Sequence, residues 1–159
     1  MKWNVYTMLK KPTCYVASGW FNPAQEEARQ DIIEALESEG ISYFSPKDEV
    51  LVQPTASPEE RKAAFKADTE AIKDCDFVIA STVGKDMGTL MEMGMSYAWQ
   101  VPFIVYFPAP VGTPCNLMIA ESAYRVAQTK DELIQIIKDL KETDFEFKNT
   151  DSTWNGRIE

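Results

Sequence analysis

Short apolar runs alternate with helix-patterned stretches along most of the chain, and that alternation restricts the fold more than any other feature. Residues 13–18, 41–44, 77–81 and 101–107 read as strands, and 124–127 as a shorter fifth. Between the first two, Asn22-Pro23 offers an N-cap and a proline for the first helical turn. Ala28, Ile32, Ile33 and Leu36 then recur at helical spacing, and Gly40 ends the helix. Ser57-Pro58-Glu59-Glu60 is a capping box that predicts a helix to about Lys73. A third helix follows 77–81, and Thr129-Lys130-Asp131-Glu132 is a second capping box opening a helix to about Leu140. Residues 45–56 read as a loop, long enough to act as a lid. The tail 143–159 has weak periodicity. This order predicts a doubly wound α/β fold: about five mainly parallel strands with helices on both faces. No repeat, linker or low-complexity stretch interrupts it, so 1–159 reads as a single domain. In such folds ligands bind beyond the carboxyl ends of the strands. That directs attention to Gly19-Trp20-Phe21, to 45–56, to Asp86 through Glu92, and to 108–118.

Composition narrows the chemistry. Net charge is −9 and no basic cluster exceeds Lys10-Lys11, which argues against nucleic acid or an anionic membrane as partner. Residues 1–11 lack the apolar stretch of a signal peptide, and 101–107 is far too short to span a bilayer. A cytoplasmic protein is expected. Cys14, Cys75 and Cys115 are few and widely spaced, as suits buried thiols rather than disulfides or a zinc site. The chain has no histidine, which removes Ser-His and Cys-His nucleophile pairs and His-based metal sites. No G-x-G-x-x-G and no Walker-type sequence is present. Neither metal nor cofactor is expected, and acid–base work falls to carboxylates, tyrosines or thiols.

Glu92 is the one charged residue between Asp86 and Glu121, among methionines, a leucine and glycines. An ionised carboxylate in such surroundings is costly unless something specific holds it. Glu92 is therefore the candidate nucleophile or general base, against the ordinary alternative of a glutamate that reaches solvent. Asp86 stands at the expected crevice mouth, as helix cap or as hydrogen-bond partner of a hydroxylated ligand. Asp68 lies one helical turn from Ala64, Phe65, Ala71 and Ile72, interrupting what reads as a buried stripe. It is either a stripe-edge residue or a carboxyl of raised pKa able to donate a proton. Tyr15 sits in the first strand. Trp20 and Phe21 suit stacking on a flat ligand, or simple packing beside a turn. Carboxylates and a tyrosine without histidine suggest glycosyl transfer, one carboxylate at C1′ and another managing the leaving-group proton.

The chain resembles the nucleoside 2-deoxyribosyltransferases. The resemblance rests on Tyr15-Val16-Ala17-Ser18-Gly19-Trp20-Phe21, on Ala67-Asp68-Thr69 with Ile72-Lys73-Asp74-Cys75-Asp76, on Asp86-x-Gly88-x-x-x-Glu92-x-Gly94, and on Asn116-Leu117-Met118. These occur in family order across about residues 13–127. The resemblance implies a flavodoxin-like fold and base exchange on 2′-deoxynucleosides, the chemistry of nucleotide salvage. By that match Glu92 attacks C1′ to give a covalent deoxyribosyl intermediate, in ping-pong fashion. Tyr15 orients Glu92, and Asp68 contacts the base and carries its proton. Asp86 binds sugar hydroxyls, while Gly19, Trp20, Phe21 and Gly88 shape the substrate site. Asn116 and Met118 reach a neighbouring subunit's site, so a homo-oligomer is implied. The partners are then 2′-deoxynucleosides and free nucleobases. A related alternative is a 2′-deoxynucleoside 5′-monophosphate N-hydrolase. Those enzymes tend to carry serine where this chain has Asp86 and Asn116, and an aspartate at 86 repels a phosphate. A non-catalytic nucleotide-binding module is a further alternative, disfavoured because Tyr15, Asp68, Asp86 and Glu92 occur together.

Overall fold

A computed structural model describes residues 12–148 and 153–159. The expectation for residues 1–11 lies outside them. Five strands form one parallel sheet: β1 (Thr13–Ala17), β2 (Ser42–Phe44), β3 (Phe77–Ser81), β4 (Phe103–Tyr106) and β5 (Arg125–Ala127). Their order is β2-β1-β3-β4-β5. The chain thus runs outward from β1 to β2, then returns past β1 to β3. That reversal opens a crevice beyond the carboxyl ends of β1 and β3.

Side-chain alternation along the strands sorts the core into two layers. Cys14, Val16, Phe77, Ile79, Ile104 and Tyr106 pack with α1 (Pro23–Ser38) and α6 (Lys130–Glu142). Tyr15, Ala17, Val78, Ala80, Phe103 and Val105 pack on the other face with Ile72 of α3 (Pro58–Asp74) and Met93 of α4 (Met87–Ala98). The odd position of Tyr15 in β1 therefore turns its ring toward α4. A one-residue slip would turn it away.

The helix signals act as read. Asn22 caps α1 by accepting the Gln25 N–H at 3.0 Å. At α3 both arms of the box form: Ser57 Oγ accepts the Glu60 N–H at 3.2 Å, and Glu60 accepts the Ser57 N–H at 2.7 Å. At α6 only one arm does. Thr129 accepts the Glu132 N–H, but the Glu132 carboxylate takes the N–H of Gln128 instead of Thr129.

Three segments differ from expectation. Residues 45–56 are not loop throughout, for Pro46–Glu49 form a short helix, α2. Its cause is tertiary: the buried Arg29 of α1 donates to Ser45 Oγ at 3.1 and 3.0 Å and pairs with Asp48. A short helix α5 (Leu117–Ser122) starts at Asn116, whose Oδ1 accepts the N–H groups of Met118 and Ile119. The tail also has a partner despite its weak pattern. Cys115 pairs with Ile158, and Leu117 N–H donates to the Glu159 carbonyl at 3.1 Å.

Candidate active site

Glu92 projects from the middle of α4 toward β1, where the Tyr15 hydroxyl donates to its Oε1 at 2.7 Å. Tyr15 is fully buried, and burial followed by the nearby Glu92 charge pushes its phenol well above the usual range. The phenol therefore stays a donor. The Phe44 ring stacks on it, with centroids 5.6 Å apart and planes 14° apart. Register explains the contact, since Tyr15 and Phe44 are paired across β1 and β2. Phe44 thus fixes the ring whose hydroxyl holds Glu92. Sequence reading placed Phe44 at a strand end but gave it no role there.

Burial pushes the Glu92 carboxyl up to about 7, with the charges of Asp68 and Asp86 adding to the rise and the Tyr15 bond opposing it. Asp68 is half-buried on α3, and desolvation lifts it to about 6. Its Oδ1 is buried with no hydrogen-bond partner among the described residues. An unpaired buried oxygen is unusual in a folded protein. The stripe around Asp68 is narrower than the sequence suggested: Ile72 is buried, but Phe65 faces solvent. Asp86 caps α4, accepting the Thr89 N–H at 2.8 Å and the Thr89 hydroxyl at 2.9 Å through Oδ2. A Cβ on Gly88 would stand 3.3 Å from that same oxygen. The capping and ligand readings of Asp86 are compatible, because Oδ2 carries the cap bonds.

The methionines around Glu92 divide between core and surface. Met93 is buried, whereas Met87 and Met91 are 83% and 57% exposed. They share a helical stripe with Leu90, Gly94 and Tyr97, which faces solvent instead of covering Glu92.

In the turn after β1, the rings of Trp20 and Phe21 lie 5.0 Å apart, with Phe21 largely exposed. The Phe21 N–H donates to the buried carboxamide of Gln25 at 2.9 Å. Sequence reading missed Gln25, a polar residue in the first turn of an amphipathic helix. Its advance signal is its place three residues after the Asn22 cap, where a glutamine side chain can reach back to N–H groups before the helix. Asn116 and Met118 are not gathered around Glu92. They line a separate cavity of about 350 Å3 with Thr82, Lys85, Leu90 and Glu159. The segment after α2 borders another, of about 540 Å3, against Glu60, Ala63 and Ala64 of α3. No helix among the described residues is long and apolar enough to cross a membrane.

The fold and site define a parallel α/β protein with a tyrosine-held glutamate, an aspartate whose buried Oδ1 lacks a hydrogen bond among the described residues, and a helix-capping aspartate. A model of the nucleoside 2-deoxyribosyltransferase family matches residues 14–133, and the chain belongs to that family. Its fold resembles that of a 2-deoxyribosyltransferase from the psychrotolerant bacterium Bacillus psychrosaccharolyticus, at 30% identity and a TM-score of 0.68. That match covers 77% of this chain and 90% of the other. A conserved protein from Enterococcus faecalis shares the fold at 18% identity and a TM-score of 0.64, over 82% and 99% of the two chains. So does a CMP N-glycosidase from Clostridium botulinum, at 20% identity and a TM-score of 0.53, over 79% and 97%. No curated protein matches the sequence. Family membership makes the chain an enzyme of the deoxyribosyltransferase type.

Proposed function

We propose that the enzyme exchanges the base of 2′-deoxynucleosides through a covalent deoxyribosyl-Glu92 intermediate. The observation that carries this reading is the 2.7 Å bond from the Tyr15 hydroxyl to Glu92 Oε1, which leaves the other carboxylate oxygen for C1′. In the first half-reaction a Glu92 oxygen bonds to C1′ as the C1′–N bond breaks. The electron pair leaves on the base nitrogen, and a proton from Asp68 neutralises it. In the second half-reaction an incoming base attacks C1′, its proton returns to Asp68, and Glu92 is released. The unpartnered Asp68 oxygen supports a proton-carrying role at the base. Asp86 would contact sugar hydroxyls with the oxygen not used in the cap, and Gly19, Trp20, Phe21 and Gly88 would border the substrate. The substrates, free nucleosides and bases, are small molecules of the cytoplasm.

The exposed stripe Met87, Leu90, Met91, Gly94 and Tyr97, with Met118 also exposed, supports a second copy of the chain as the cover over this site. Exclusion of water favours transfer over hydrolysis of the intermediate. Asn116 and Met118, which line a cavity with Lys85 and Leu90, would then serve the partner copy.

Deoxyinosine with free adenine should yield deoxyadenosine, and Glu92→Ala should abolish the product. Intact mass after incubation with donor alone should show one deoxyribosyl adduct, absent in Glu92→Ala. Release of free deoxyribose in the presence of acceptor base would replace this reading with hydrolysis. Turnover of 5′-monophosphates alone would replace the free-nucleoside assignment.

A further inference from the structure

Gln25 is among the few buried polar side chains of the described residues, with a relative exposure of 5%. It is the third residue of α1, and its carboxamide reaches back past the Asn22 cap. Oε1 accepts the Phe21 N–H at 2.9 Å, in the turn that follows β1. The same group packs against two backbone segments that lack side chains. A Cβ on Gly19 would lie 2.7 Å from Gln25 Cδ, and a Cβ on Gly84 would lie 2.6 Å from Gln25 Nε2. Gly84 has φ of 74°, in the 3-10 turn Val83–Lys85 that leads directly to Asp86. Glycine is required there on two counts, backbone conformation and space. Gly19 lies outside the left-handed region, so the carboxamide is what a side chain there would meet. One buried amide thus fills the gap between the turn carrying Trp20-Phe21 and the turn that starts α4.

We infer that Gln25 is a positioning residue that sets the Trp20–Phe21 turn against the Gly84 turn, and so fixes the width of the base-binding end of the crevice. A polar group is needed because Phe21 N–H sits at a chain reversal with no strand partner, and an apolar side chain would leave it unsatisfied. A glutamine is long enough to reach both glycines from α1. Gln25 touches neither Glu92 nor Tyr15 through any hydrogen bond in the structure, so its loss should act on base capture and leave the chemical step alone. The assignment of the turn to the base rests on the proposed base exchange; the mechanical role of Gln25 does not.

The test separates the two. In Gln25→Leu, hydrogen exchange at the Phe21 amide should accelerate about tenfold or more while β1 amides keep their protection. The emission of Trp20, taken as the difference from Trp20→Phe, should shift. The KM for acceptor base should rise about tenfold with kcat within about twofold. Gln25→Glu, which keeps an oxygen acceptor at the same reach, should recover part of the KM. Adding Gly19→Ala to Gln25→Ala should neither speed Phe21 amide exchange further nor lower the melting temperature further, because the obstructing carboxamide is gone; the effects on these readouts should not multiply. Unchanged Phe21 exchange, or multiplicative losses, would overturn the role. A lower melting temperature with unchanged KM would reduce Gln25 to a packing residue. If the wild type exchanges no bases, the proposed function fails, and exchange and fluorescence still decide whether Gln25 holds the turn.

Discussion

Burial and the Tyr15 hydroxyl pull Glu92 in opposite directions, and burial wins. Its carboxyl ionises at about 7 in the fold against an ordinary value of 4.5, so the native state holds the proton more tightly than the unfolded chain. Stability is greatest below the unfolded value and falls as pH rises toward 7, by about 3 kcal/mol in all. Glu92→Gln should therefore be more stable than wild type at pH 8, with the gap narrowing by about that amount toward pH 4. Urea titrations across that range check this; a pH-independent gap would refute it. The proposed mechanism needs Glu92 ionised and Asp68 protonated, with the two carboxyls raised to about 7 and about 6. The rate should peak between those values and fall on both sides. Asp68→Asn should remove the alkaline fall. It should also move the acid limb to lower pH, since the Asp68 charge helps hold the Glu92 proton. Loss of kcat in this variant should far exceed any loss of nucleoside binding; equal losses would count against Asp68 as proton carrier.

At the scale of elements, the two caps make a contrast. Ser57 and Asp86 each satisfy N–H groups at the start of a helix, and replacing either by alanine should cost about 1 kcal/mol. Only Asp86 faces Glu92 electrostatically. Asp86→Asn, which retains a good cap, should keep the melting temperature yet shift the acid limb of the rate downward. Ser57→Ala should lower stability and leave the pH profile in place. Melting curves and pH–rate profiles on the same preparations distinguish them. Caps were legible because the capping oxygen and its target N–H are three residues apart. α2 was not, because its turn is pinned by Arg29 from another helix. α5 was not, because Asn116 lies within a Pro/Gly-rich stretch that reads as loop.

At the scale of the whole molecule, the exposed face of α4 is the feature least explained by a lone chain. Gly94 is exposed, and a Cβ there meets nothing within 4 Å. Gly94→Arg should thus leave the circular dichroism and melting of the isolated chain intact. If a second copy packs on this face, the same change should dissociate the assembly in sedimentation velocity and abolish base exchange. An unaltered sedimentation coefficient would move the subunit contact elsewhere.

The sequence alone determined the strand–helix alternation, the parallel sheet and the reliance on carboxylates, because those follow from local periodicity, short-range caps and the absence of histidine. It also singled out Tyr15, Asp68, Asp86 and Glu92 as candidates. Only the tertiary structure decided how they meet. Sheet register turned Tyr15 toward α4 and stacked Phe44 upon it, and burial raised the carboxyls of both Glu92 and Asp68. It also turned Met87 and Met91 outward and set Gln25 between two glycines 65 positions apart. Contacts of that separation leave no periodic trace, since the residues that make them are neighbours only after the sheet has formed.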